Sequence, residues 1–475
     1  MNTILVNDDE SLRWKEVPNS TVGTEDCLMK SEASALNCAD LMPKDGDYTY
    51  PLGGSAWKES EMKQYIKVIQ TYSKEHYKLM VRESEGLLRH PFLVPGSQAY
   101  SNTLWDWDSW LTDVAIRQIM LDNNDEDAEF FLCEKGCVIN FLEHTREDGK
   151  IPIMIAVNET MPDLEVAEKT NIHKPCLAQH AAFIIQANRE DAEWLRPYLR
   201  QLKTFLGYYM REMRHEETGL YYWHDDMAIG VDNDPSTFYR PEGSSAAIYL
   251  NCMMYRELLA MAYICRCLGE DAEAYNEAAI ALKKTVNELL WDERNGFYYS
   301  ADLNLKPINT DEWLHSGMPR HWSSLIQRID CWSGFMAMWA GIATQEQAKR
   351  MVSENLMKPE LFNANYGICT LAKTEKMYCV VKSGNPSCWL GPIWGISNYM
   401  CYRGLMNYGF IEEAEELACK TIRLLGQDLE RCGELHEYYH PDTGEGVNNP
   451  GFQNWNLLVN NMIAELEGRS VVVEF

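Results

Sequence analysis

Two segments, Gly230-Val231-Asp232-Asn233-Asp234-Pro235 and His436-Glu437-Tyr438-Tyr439-His440-Pro441-Asp442-Thr443-Gly444-Glu445-Gly446, set carboxylates among glycine, proline, asparagine and aromatic residues. Two carboxyl groups on facing walls suit hydrolysis of a glycosidic bond, in which one gives a proton and the other takes one from water. Around the first segment Asp225, Asp226, Asp232, Asp234 and Glu242 are candidates for a proton donor whose pKa is raised by partial burial against Tyr221, Tyr222 and Trp223. Around the second, Glu434, Glu437, Asp442 and Glu445 are candidates for an ionised base, with Tyr438 and Tyr439 as neighbouring groups. Each segment alone also reads as a turn, because Asp and Asn suit turn backbone geometry and Pro-Asp-Thr-Gly is a common hairpin signal.

Two further segments could form walls. Leu104-Trp105-Asp106-Trp107-Asp108-Ser109-Trp110 brings together three Trp and two Asp. A sugar ring stacks its C–H face on an aromatic ring while a carboxylate accepts from adjacent hydroxyls; equally, the segment is a helix start with an Asp near the cap and Trp residues in the core. Asn385-Pro386-Ser387-Cys388-Trp389-Leu390-Gly391-Pro392-Ile393-Trp394-Gly395 flanks Gly-Pro with Trp residues that suit either a cleft or a core.

Other chemistries are excluded by what is missing. There is no Gly-x-Ser-x-Gly, Gly-x-Gly-x-x-Gly, Walker-type loop or His-Glu-x-x-His. A net charge of −28 without a Lys/Arg-rich run excludes a nucleic-acid partner, whereas a neutral saccharide needs no complementary charge. No stretch reaches about 18 apolar residues, so no membrane partner is expected, and Met1 to Arg13 lacks the pattern of a signal peptide. The 15 cysteines include no Cys-x-x-Cys, so neither a structural metal nor any other cofactor is expected; their odd number suits a reducing, cytoplasmic setting.

The elements that must hold these segments are helical. Met62, Tyr65, Ile66, Ile69, Tyr72, Leu79 and Met80 follow the helical period. About a dozen helices are predicted, near 60–88, 106–122, 125–144, 174–188, 190–215, 244–268, 270–291, 329–342, 344–356, 393–407, 410–428 and 453–468. Short turns alternate with long loops near 89–105, 145–173, 216–243, 292–328, 357–392 and 429–452, as six helical hairpins give when every long connection lies at one end. The expectation is an all-α chain: an (α/α)6 barrel over 59–475, with an irregular N-terminal arm over 1–58 packed on it. The rival is an open α-solenoid.

From about residue 60 to 468 the chain resembles the clan of (α/α)6 glycosidases that contains glycoside hydrolase family 63, the mannosylglycerate and glucosylglycerate hydrolases, and trehalase. The resemblance rests on Trp105-x-Trp107-Asp108-Ser109, Gly230-Val231-Asp232-Asn233, Leu250-Asn251, Trp389-x-Gly391-Pro392-Ile393-Trp394 with Asn398-Tyr399, and Glu437-x-Tyr439-x-Pro441-x-Thr443-Gly444. It implies that Asp232 is the general acid and Glu437 the general base of an inverting hydrolysis, and that Trp107, Asp108 and Trp389 border the glycone. The full expected substrate-binding set is Trp105, Trp107, Asp108, Asn233, Tyr366, Trp389, Gly391, Trp394 and Trp455. Leu390 stands where the family usually has Arg, Val231 where Trp is frequent, and Tyr249 where an Asp is often found. The implied activity is that of an exo-acting α-glucosidase on a disaccharide, short oligosaccharide or small glucosyl conjugate. The alternatives are an α-mannosidase or glycosylglycerate hydrolase, a sugar epimerase using His436 and His440, and a non-catalytic carbohydrate-binding protein.

Overall fold

The structure, a computed structural model, describes residues 2–6, 12–16, 59–165, 169–306, 321–380 and 386–475. The chain divides into two units, Met1–Tyr48 and Thr49–Phe475. In the first, Asn2–Val6 and Leu12–Glu16 pair antiparallel. The rest of the predicted arm lies outside the described residues.

Twelve α-helices follow among the described residues: α1 (Glu59–His76), α2 (Asp106–Asn123), α3 (Ala128–Glu143), α4 (Leu177–Ala187), α5 (Leu199–Glu212), α6 (Ile248–Cys267), α7 (Glu273–Leu289), α8 (Met336–Trp339), α9 (Gln345–Arg350), α10 (Gly395–Asn407), α11 (Ile411–Cys432) and α12 (Val459–Leu466). The even-numbered helices form an inner ring in which each packs on the next and α12 returns to pack on α2. That return separates a barrel from an open solenoid, and the fold is an (α/α)6 barrel.

Position in the ring explains the sequence patterns. Inner helices are enclosed on all sides, so α10 is buried from Gly395 to Leu405. Outer helices bury one stripe, as α7 does with Ala279, Leu282 and Val286. The predicted first helix ends early: after α1 the chain tightens into a 3-10 turn, Tyr77–Met80, and Leu79 is 57% exposed. The predicted helix over 329–342 is a 3-10 turn, Trp332–Phe335, running into the single α turn of α8.

Short strands at the long-loop end lead directly into inner helices. Thr103–Trp105 pairs with Met154–Ala156 ahead of α2, and Ile393–Trp394 pairs with Tyr438–Tyr439 ahead of α10. Ser245–Ala246, ahead of α6, pairs with Ala301–Asp302. These pairings fix where the loops carrying the carboxylates stand.

Candidate active site

A cavity of about 340 Å³ opens among these loops, and both Asp232 and Glu437 line it. The Ile393–Trp394 pairing sets Trp394 opposite Tyr438, which brings the Trp389 loop beside Glu437. The Asp232 loop is pinned from below. Asn251 of α6 accepts from Tyr221 N (2.9 Å) and donates to Tyr221 O (2.9 Å), while Tyr249 donates to Ile229 O (3.2 Å). Next to that anchor, Gly230 has φ +82°, and a Cβ there would meet Lys174 Cε at 2.2 Å and Trp107 at 2.9 Å. Only glycine fits.

The two carboxyls have different surroundings. Burial raises the pKa of Asp232, opposed by one hydrogen bond with Ser387 and by the charge of Lys174. Burial also raises Glu437, but three donors oppose it: Asn448 Nδ2 at 2.9 Å, Asn449 Nδ2 at 2.5 Å and Tyr100 Oη at 3.1 Å. The charge of Asp232 pushes Glu437 up as well. Among the described residues, Glu437 thus has more hydrogen-bond donors opposing its burial than Asp232 has. The donors expected from Tyr438 and Tyr439 are absent from this set. Tyr438 donates to Pro386 O (2.7 Å) and Tyr439 accepts from His436 N (2.8 Å).

Replacing Tyr100 by Phe removes one donor from Glu437 and should raise its pKa further. With Glu437 as the base proposed below, which works only when ionised, activity would be lost as pH falls through that pKa, and the acid limb of the pH–kcat/KM profile should move to higher pH. An unmoved limb would show that Tyr100 does not tune Glu437.

The third wall comes from the first turn of α2. Asp106 is fully enclosed; its Oδ1 accepts from Trp107 N (2.8 Å), and Lys174 Nζ lies 2.8 and 3.0 Å from its two oxygens. Burial alone would raise Asp106, but the adjacent Lys174 charge and hydrogen bonds hold it below the usual range. Asp108 faces the cavity and accepts from Asn454 Nδ2. Burial first, then the charge of Asp106, pushes Asp108 up to about 8. Lys174 Nζ also sits 4.8 Å over the Trp107 ring.

The aromatic side chains form one continuous wall. Trp389 stacks on Trp394 at 4.0 Å, and Trp394 stacks on Tyr438 at 4.9 Å. Trp107 meets Trp455 edge-on at 5.9 Å. Trp105, Trp107, Trp389, Trp394 and Trp455 all line the cavity.

Two carboxyl groups lining one Trp-walled cavity on an (α/α)6 barrel match a known domain. Residues 100–455 match the model of the mannosylglycerate hydrolase MGH1-like glycoside hydrolase domain. The chain belongs to that family. The glycoside hydrolase domain is 29% identical over 408 residues to a probable trehalase of Eremothecium gossypii, covering 71% of this chain and 50% of that protein. It is 30% identical over 227 residues to a mannosylglycerate hydrolase of Thermus thermophilus, covering 47% and 46% of the two chains. The chain thus spans about half the length of the relatives it matches. The fold superposes on a family 63 mannosylglycerate hydrolase from Thermus thermophilus solved in complex with glucose, with a TM-score of 0.59, 19% identity and coverage of 86% and 100%.

Three of the expected substrate-binding residues do not line the cavity. Tyr366 is turned away, its hydroxyl 3.0 Å from Gln427 Oε1 and its ring under Arg423. Asn233 is buried and accepts from Trp389 N (2.7 Å), so it ties the Asp232 loop to the Trp389 loop. Gly391 N donates to Thr370 Oγ1 (3.1 Å), and its Cα faces Tyr378. These positions hold loops together. The other carboxylates also separate by role: Asp234 is buried and accepts from Ser236 N (2.9 Å), while Asp226 lines the cavity and accepts from Tyr239 N (2.9 Å). Glu434, Asp442, Glu445, Asp225 and Glu242 do not line it.

Neither histidine of the epimerase alternative lines the cavity. His436 Nδ1 is 2.8 Å from buried Asp428, and His440 Nδ1 accepts from the N–H groups of Asp442 and Thr443. Among the described residues no group of three or more His, Cys, Asp or Glu is placed to hold a metal ion, and no helix is long and apolar enough to cross a membrane.

Sequence reasoning missed Lys174, Tyr100, Asn448 and Asn449. Lys174 carried a usable signal: Ile172-His173-Lys174-Pro175-Cys176-Leu177-Ala178 sets one cation in an apolar run, and a buried cation needs a partner. The Asp108→Ala variant should fold normally yet lose at least about tenfold in kcat/KM, the effect of losing a buried hydrogen-bonding contact to substrate. Near-normal kinetics would reduce Asp108 to a partner of Asn454.

Proposed function

We propose that this domain is an inverting, exo-acting α-glycosidase that releases glucose from a small neutral saccharide or glucosyl conjugate, with Asp232 as general acid and Glu437 as general base. The observation that carries this reading is that both carboxyls line one cavity with unlike partners among the described residues: Tyr100, Asn448 and Asn449 donate to Glu437, and Ser387 bonds Asp232. The sugar would sit against Trp107, Asp108 and Trp389. Asp232 would protonate the departing oxygen while Glu437 takes a proton from the attacking water. No cofactor enters this chemistry. The site asks for no macromolecular partner, and the odd number of cysteines, 15, supports a cytoplasmic setting.

Inversion fixes the test. NMR of the first product formed from an α-glucoside should show the β-anomer, and α-glucose as first product would refute the assignment. For inversion the two carboxyl groups should stand about 6.5–9.5 Å apart in a sugar complex.

An acidic aglycone is disfavoured by the cavity's charge. Lys174 is the cation lining it among the described residues, and both Asp106 oxygens hold that ammonium. Leu390, the residue in place of the family Arg, is itself buried and does not line the cavity. Mannosylglycerate and glucosylglycerate should therefore not be the best substrates in a screen of α-linked disaccharides and glycosylglycerates.

A further inference from the structure

The cavity has two chemically different ends. Its deep end is Trp107, Asp108, Trp389 and Trp455, each at most 8% exposed. Its other end carries Met161, Met227, Ala228 and Phe238, with Met161 39% and Met227 68% exposed. Solvent-exposed methionines at a cavity mouth leave an apolar, adaptable surface without a partner. Ile153, Met154 and Ala156 form a small apolar cluster apart from the main core, with Trp105 and Ala228 packed against it, so the mouth surface has its own support.

Chemistry decides which part of a substrate meets that surface. A general acid must touch the oxygen that departs, so the leaving group lies beside the loop that carries Asp232. The other residues of that loop that line the cavity are Asp226, Met227, Ala228, Gly230 and Phe238. Of these only Asp226 is charged, and its carboxylate already accepts from Tyr239 N. We propose that the leaving-group subsite takes an apolar aglycone, an alkyl or aryl group, held by Met161, Met227 and Phe238. This rests on Asp232 acting as the general acid. A dead-end sugar pocket opening through an apolar mouth suits an amphiphilic glycoside, sugar inward and hydrocarbon at the rim.

The test separates the two readings. Methyl, butyl and hexyl α-glucosides, with the matching α-mannosides, have alcohols of similar acidity, so differences in rate report aglycone contact. In the wild-type enzyme kcat/KM should rise at least about tenfold from methyl to hexyl, as burial of several methylenes gives, chiefly through KM. In the Met227→Ser/Phe238→Ser variant the ratio of hexyl to methyl kcat/KM should fall toward one, and a ratio unchanged from the wild type overturns the subsite. Sugar release with no dependence on chain length overturns the apolar subsite and leaves the hydrolase reading standing. Where no glycoside is turned over, the hydrolase reading fails, and calorimetric binding of the same series to Glu437→Gln protein decides the subsite: tighter binding of hexyl than methyl glycoside supports it, and equal or no binding overturns it.

Discussion

Asp232→Asn and Glu437→Gln should each lower kcat by about two to four orders of magnitude, the contribution of general acid–base catalysis, while sugar binding survives. Each change removes a proton-transfer group but little volume, so the Trp wall and the Asp108 contact remain. The two variants should differ in substrate dependence. Loss of the acid matters most for poor leaving groups, so Asp232→Asn should recover much of its activity on an activated aryl glycoside or glycosyl fluoride. Glu437→Gln should not, because water still lacks its base. Steady-state kinetics on both substrate types checks this, and equal rescue of both variants would mean that the roles are wrongly divided. Full activity in either variant would remove that carboxyl from the mechanism.

Lys174→Met should be the most destabilising single change near the site. It leaves Asp106, which has no solvent contact, as a buried charge with only the N–H groups of Trp107 and Lys174 as donors. Breaking one partner out of a buried ion pair costs about 3–5 kcal/mol. Asp106→Asn/Lys174→Met, which removes both charges, should recover much of that loss, since two neutral groups have no desolvation penalty of that size. Denaturant unfolding of the three proteins measures the coupling directly. A single variant as stable as the wild type would show that Asp106 takes up a proton and needs no cation. Activity should fall in the single variant for a second reason: Lys174 lies over the Trp107 ring that lines the cavity and helps to hold it in place.

What the chain discloses before its structure is known follows physical range. Helices were legible because burial on one stripe writes a 3.6-residue period into the sequence, and the rhythm of short and long connections carried the barrel. The strands of two or three residues left no period to read, yet Ile393–Trp394 against Tyr438–Tyr439 decides where Glu437 stands. Asp232, Glu437 and the Trp residues of the cavity were visible because their types are costly to place at random. Tyr366 was expected at the site because it lies in a loop with Asn363 and Asn365, whereas its hydroxyl bonds Gln427 and it does not line the cavity. Tyr100 was invisible because it is 337 positions from Glu437, and no local pattern records a pairing across that distance; Asn448 and Asn449, 11 and 12 positions from Glu437, precede Pro450-Gly451 and have the composition of a turn.

The return of α12 onto α2 governs how the protein comes into being. Asn454 is hydrogen-bonded to both Thr112 and Asp108, joining positions 342 and 346 apart. During synthesis at about 5–20 residues per second, α2 therefore waits tens of seconds for the segment that closes the ring. Its faces, buried almost throughout in the finished barrel, have no partner on one side for that time. The Asp108 wall is completed only when the segment carrying Asn454 arrives. A ribosome stalled before Asn454 would display helices and an incomplete pocket, so activity appears in one step once that segment is in place.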